Sequence, residues 1–193
     1  MSDAREIVPF LHEAGHLKRS ARQGWWIAGV KNPETVAEHS FRTAVIGYVI
    51  GAVEGADAER VATLCLFHDF PETRQGDVPS TGKRYVSMAP DTDVIRDQTA
   101  QLPQHLADRI RALTGEFEEQ ATPEARCAKD ADKLECLLQA REYQAQGYAD
   151  VQPWVDTMVD AMRTPTGKAL ASAALEVAPS SWWYDIVANY GRK

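Results

Sequence analysis

Apolar residues recur at helical spacing along almost the whole chain, while the alternation of half-buried strands is absent. Ile7, Phe10, Leu11, Ala14 and Leu17 mark a first helix. Asn32 as a cap, with Pro33 in the first turn, opens a second that runs to about Val53. Its buried stripe is expected to carry Val36, Ser40, Thr43, Gly47 and Ile50. A third helix starts at Asp57 and carries Val61, Leu64, Cys65 and His68. Phe70 to Tyr85 holds Pro71, Gly76, Pro79 and Gly82 and reads as a loop. Helical spacing resumes from Asp91 to about Phe117, with a break at Pro103. Later helices open at Thr122-Pro123-Glu124, ending near Gly147, and at Asp150, Thr164-Pro165 and Ser180-Ser181. The expectation is an all-α bundle of about seven to nine helices in a single domain, residues 1–193.

A chain of 193 residues can bury a continuous core without disulfides. Lys plus Arg number 21 against 28 Asp plus Glu, a net charge of -7, which disfavours a nucleic-acid polymer as partner. A small phosphate ester in a local basic pocket stays open. Cys65, Cys127 and Cys136 form no CxxC pair and read as reduced, buried thiols of a cytoplasmic protein. Met1 to Phe10 lacks the apolar region of a signal peptide, and no run reaches the ~18–20 apolar residues of a membrane span.

Two motifs compete as metal sites. His12-Glu13-Ala14-Gly15-His16 spells HExxH, in which two histidines one helical turn apart grip zinc and the glutamate acts as base. Its context is wrong for a zinc protease: no strand precedes it and no third ligand follows at the required spacing. The second signal is His39, then His68-Asp69, then Asp132. These groups lie on or beside apolar helical segments, where unpaired polar burial is expensive. Two imidazoles and two carboxylates from three helices are mutually satisfied by one divalent cation, or by a buried polar network without one. Such a mixed donor set suits Mn, Fe, Co, Ni or Zn. Asp130 and Asp132 point about 200° apart on a helix, so only one of them can be a ligand.

At these residues the chain resembles the HD-domain metal-dependent phosphohydrolases, and among them the bacterial 5′-deoxynucleotidases and the HD domain-containing protein 2 family. The resemblance rests on linked blocks in order: Leu17-Lys18-Arg19, Arg22-Gln23-Gly24-Trp25, Asn32 to Ser40, His68-Asp69-Phe70-Pro71-Glu72, Gly76-Asp77-Val78-Pro79 and Lys129-Asp130-Ala131-Asp132. It covers about Leu17 to Tyr148, making that stretch the core of an HD-domain-like fold with helices of 150–193 packed on it. It implies that His39, His68, Asp69 and Asp132 hold the metal, and that Glu72 handles the attacking water. It also implies that Asp77 helps position substrate through the sugar, and that Arg22, Trp25 and Lys18 lie near phosphate and sugar. The bacterial enzymes carry arginine immediately before the tryptophan, where this chain has Gly24. A homodimer is implied as well.

The residues themselves are consistent with phosphate chemistry. A guanidinium such as Arg22 can grip phosphate bidentately or sit solvated. Trp25-Trp26 either walls a sugar or base or packs in the core. Glu72 lies three residues beyond Asp69, after the turn at Pro71, where a carboxylate can orient water or carry its proton. The leading expectation is release of phosphate from nucleoside 5′-monophosphates, 2′-deoxynucleotides among them. The alternatives are hydrolysis of a nucleoside triphosphate or other phosphorylated metabolite, and a non-catalytic nucleotide sensor.

Overall fold

In the computed structural model, which describes residues 4–190, four of the helices begin at a side chain that accepts from a free N–H of the first turn: Thr35, Asp57, Thr122 and Thr164. Residues 1–3 and 191–193 of the expected domain lie outside the described residues. The order is α1 (Ala4–Ala14), a 3₁₀ turn (Gly15–Lys18), α2 (Gly24–Ile27), α3 (Val36–Glu54), α4 (Ala58–Phe67), α5 (Glu72–Gln75) and α6 (Ser80–Lys83). Then come α7 (Asp91–Gln98), α8 (Gln104–Glu119), α9 (Pro123–Ala145), a 3₁₀ turn (Ala149–Val151), α10 (Gln152–Ala161), α11 (Pro165–Glu176) and α12 (Ser181–Ala188). Nine of these have seven residues or more, and no strand occurs among the described residues.

Several boundaries differ from the sequence expectation. Thr35, not Asn32, caps α3: its side chain accepts from Glu38 N–H, and the Glu38 carboxylate accepts from Thr35 N–H at 2.7 Å. This capping box outcompetes the Asn32-Pro33 start. Residues 34 and 35 are kept extended by pairing with the Arg22 segment, through Arg22 N–H to Glu34 O at 2.9 Å and Val36 N–H to Ser20 O at 2.8 Å. α4 stops at Phe67, so His68 lies in the following turn. The expected loop from Phe70 to Tyr85 contains the single turns α5 and α6. The break at Pro103 separates α7 from α8.

The long helix α9 is the centre of the packing, with α3, α4, α8, α10 and α11 against it. α3 and α4 meet at two glycines. A Cβ on Gly47 would stand 2.5 Å from Cys65 Sγ, and one on Gly51 would stand 2.9 Å from Val61. Only hydrogen at both positions lets the two backbones approach this closely. The approach sets His39, near the start of α3, across from His68, just after the end of α4. α1 and α7 build a second cluster around Phe10, Phe70 and Ile95.

Candidate metal centre and cavity

Four donor atoms converge from three parts of the fold: His39 on α3, His68 and Asp69 after α4, and Asp132 on α9. His39 Nε2 lies 3.3 Å from His68 Nε2, 3.5 Å from Asp69 Oδ2 and 3.4 Å from Asp132 Oδ1. His68 Nε2 lies 3.2 Å from Asp69 Oδ2. Ligands about 2.1 Å from a shared cation stand about 3.0–3.4 Å apart, a spacing that the His39, His68 and Asp69 donors approach. Asp132 Oδ1, 3.9 Å from His68 Nε2, stands at the wider edge of the set.

The far nitrogens of both rings are fixed. His68 Nδ1 is 2.6 Å from the Cys65 carbonyl, which can only accept, so Nδ1 carries a proton and Nε2 is the nitrogen turned to the cluster. His39 Nδ1 faces Glu135 Oε2 at 2.5 Å, a carboxylate–histidine pair of the kind that orients metal ligands. Burial alone would raise the Asp69 and Asp132 pKa values. The neighbouring histidines outweigh burial, with help from Arg22 at Asp69 and Lys133 at Asp132, and hold both carboxyls below the usual range.

His68, Asp69 and Asp132 border a cavity of about 410 Å³, with His39 buried behind them. Glu72 and Asp77 face it, as do Arg22, Lys83, Lys129 and Lys133. Glu72 Oε2 is buried with no hydrogen-bond partner. Burial, reinforced by Asp69 and Asp77, pushes the Glu72 pKa up to about 9. Asp77 accepts from Gln23 N–H at 2.5 Å and from Arg22 Nη1 at 3.4 Å. Arg22 Nη1 also reaches Asp69 Oδ2 at 3.3 Å, tying the two carboxylates together. Trp25 is both core and wall. It is 2% exposed, donates from Nε1 to Glu34 Oε1 at 3.0 Å and packs on Trp154, yet borders the cavity. Trp26 is exposed. Lys18 is not brought to the cavity; it lines a separate groove with Glu38, Phe41 and Arg42.

The HExxH residues form no such cluster. His12 and His16 are exposed. Glu13 is occupied by Thr73, Arg74 and Gln98. Asp130 is buried and accepts from the N–H groups of Arg163 and Thr164 and from the Thr164 hydroxyl, bracing the start of α11. It is therefore engaged elsewhere, and Asp132 alone of the pair faces the histidines.

A family model described as HD domain matches residues 14–174. The chain belongs to the HD-domain family. Among curated HD-domain relatives it is 34% identical over 143 residues to the 5′-deoxynucleotidase HDDC2 of Bos taurus, covering 73% of this chain and 69% of that protein. It is 31% identical over 146 residues to the 5′-deoxynucleotidase hdd1 of Schizosaccharomyces pombe, covering 72% of each. The crystal structure of the PH0347 protein from Pyrococcus horikoshii matches with a TM-score of 0.70 and 28% identity, over 89% of this chain and 98% of that one.

The HD site also uses residues the sequence reading passed over. Glu135 lies three positions beyond Asp132, one turn along the same face of α9, a spacing that marks a possible partner for anything Asp132 faces. Lys133 Nζ lies 2.9 Å from Asp132 Oδ2, the oxygen turned away from the histidines. Trp154 comes from α10, and no local sequence signal connects it with Trp25.

Proposed function

We propose that this HD-domain chain is a metal-dependent phosphohydrolase that releases phosphate from nucleoside 5′-monophosphates, 2′-deoxynucleotides among them. The observation that carries the reading is the convergence of His39, His68, Asp69 and Asp132 beside a cavity that also holds Glu72 and several cationic groups. Those four side chains would hold one divalent transition metal per chain. Such a cation supplies a Lewis acid for phosphoryl oxygens and lowers the pKa of water.

The protein groups divide the remaining work. Glu72, facing the cavity with an unpartnered oxygen, would be ionised once a bound cation offsets the burial and the Asp69 charge that raise its pKa, and then takes the proton of the attacking water and returns it to the leaving 5′ oxygen. Arg22, Lys129 and Lys133 give the cavity the positive charge that a phosphate dianion needs. Asp77, held by Gln23 N–H and Arg22, accepts a hydrogen bond from a sugar hydroxyl. Trp25 and Trp154 wall the nucleoside. The names of the bovine and fission-yeast relatives support the deoxynucleotide preference.

We further propose that the chain works as one domain, in the cytoplasm and as a homodimer. Packing of α10 and α11 on α9 supports the first, and the three free, buried cysteines support the second. Exposed Phe41, Val45 and Val53 on α3, with Trp182 and Ile186 on α12, support the third. No helix among the described residues is long and apolar enough to cross a membrane. Net charge disfavours a nucleic-acid polymer.

Phosphate release from mono-, di- and triphosphate nucleotides, with added Mn, Co, Fe, Ni or Zn, tests the reading. Turnover of monophosphates that chelator abolishes is expected. Turnover confined to triphosphates, or none with any metal, overturns it.

A further inference from the structure

We propose that Glu13, the glutamate of the HExxH sequence, is a positioning residue that sets Glu72 in the cavity by clamping the outer side of α5. The assignment rests on the nucleotidase reading above. α5 is one four-residue turn with no buried residue and no side-chain cap. A lone turn of helix is unstable by itself, so its orientation comes from what holds it.

The turn has two sides. Glu72 and Gln75, three apart, face the cavity. Thr73 and Arg74 do not, and both are bound by Glu13. Arg74 Nε donates to Glu13 Oε1 at 2.7 Å and Arg74 Nη2 donates to Oε2 at 2.9 Å, a two-pronged guanidinium–carboxylate pair. Thr73 Oγ1 donates to Oε1 at 2.9 Å. Gln98 on α7 donates from Nε2 to Glu13 Oε1 at 3.0 Å, to Thr73 Oγ1 at 2.7 Å and to the Phe70 carbonyl at 3.2 Å. Below this network Phe10 of α1 stacks on Phe70 at 4.7 Å.

Glu72 is thus flanked on one side by the Phe70 carbonyl and on the other by Thr73 and Arg74, all tied to α1 and α7. Its own carboxylate has an unpartnered buried oxygen and no side-chain partner to aim it. The aim comes from the backbone, and Glu13 holds that backbone. The Arg74 side chain is 44% exposed, so the ion pair adds little to global stability. Its contribution is geometric, and misplacing a reacting group by about 1 Å costs up to about a hundredfold in rate.

The test uses the metal-saturated full chain and steady-state phosphate release from deoxynucleoside monophosphates. Glu13→Ala is expected to lower kcat about ten- to hundredfold with KM and metal content as in wild type. Glu13→Gln keeps an oxygen for Thr73 and Gln98 but loses the charge facing Arg74, so its kcat falls between the two. In a Glu72→Gln background, where the positioned group is already disabled, adding Glu13→Ala changes the residual rate by less than about twofold. A general folding defect would lower the rate equally in both backgrounds, and that result overturns the assignment. So does an active wild type with Glu13→Ala within about twofold of it in kcat. Should Glu13→Ala fail to fold, Glu13→Gln decides: a kcat loss of about threefold or more supports the clamp, and a smaller one overturns it. A wild type that releases no phosphate overturns the nucleotidase reading and the clamp with it.

Discussion

Glu135 Oε2 lies 2.5 Å from Nδ1 of His39, and neither side chain reaches solvent. Its other oxygen accepts from Arg42 Nε at 2.9 Å, so the carboxylate cannot rotate away. The pair fixes the ring with Nε2 toward His68, Asp69 and Asp132. Glu135→Gln keeps the shape and loses the charge. Metal affinity, measured by competition with a chelator, is expected to fall about 10–100-fold. An affinity within about twofold of wild type would show that Glu135 does not tune the site.

The two metal motifs separate by mutation. His12→Ala with His16→Ala should leave metal content and phosphate release nearly unchanged, because both histidines are exposed and no third donor joins them among the described residues. His39→Ala, His68→Ala, Asp69→Ala or Asp132→Ala should each remove metal or cripple turnover. Elemental analysis showing metal lost from the first variant and kept by His39→Ala would falsify the assignment.

The helices were legible because each depends on local chemistry: Thr122 and Thr164 cap α9 and α11 with proline in the first turn, as their sequences announce. The start of α3 was misread because Asn32-Pro33 is a valid local start, and the pairing of residues 20–22 with 34–36 that overrides it is not local. The HD quartet was legible as polar groups stranded among apolar ones. The context of HExxH argues against a zinc site, but the actual partners of Glu13, which are Thr73, Arg74 and Gln98, lie far along the chain and leave no local signal. The resemblance implies Lys18 near the phosphate, whereas the turn at Gly15–Lys18 sets it in a different groove from the cavity.

Glu72 is a destabilising feature of the metal-free fold. Its pKa is pushed up to about 9, from an ordinary 4.5, by burial and by Asp69 and Asp77. Between those values the folded state holds a proton that the unfolded state has lost, so stability falls as pH rises. Glu72→Gln mimics the neutral carboxyl and lacks this loss. In chelator its Tm should exceed that of wild type, by a margin that grows as pH rises through that window, while turnover is lost. A margin that does not change with pH would contradict the burial effect.

Metal binding should be driven by rising pH. Burial disfavours charge on His39 and so does Arg22, but Glu135 and Asp132 outweigh both and raise its pKa to about 10. The metal-free protein near neutral pH therefore carries an imidazolium where a cation needs a bare nitrogen. Binding must expel at least one proton, and log affinity should climb by about one per pH unit below that pKa. Calorimetric titration in two buffers of different ionisation enthalpy measures the proton directly. For the metal-free fold the sign is reversed. The raised pKa contributes stability fully present below the ordinary 6.5 and lost as pH climbs through about 10. The Tm gained on adding metal should thus widen with pH, because one state gains affinity while the other loses its internal ion pair. A metal-induced Tm gain that is flat over this range, with no proton released on binding, would show that His39 is already neutral in the metal-free protein.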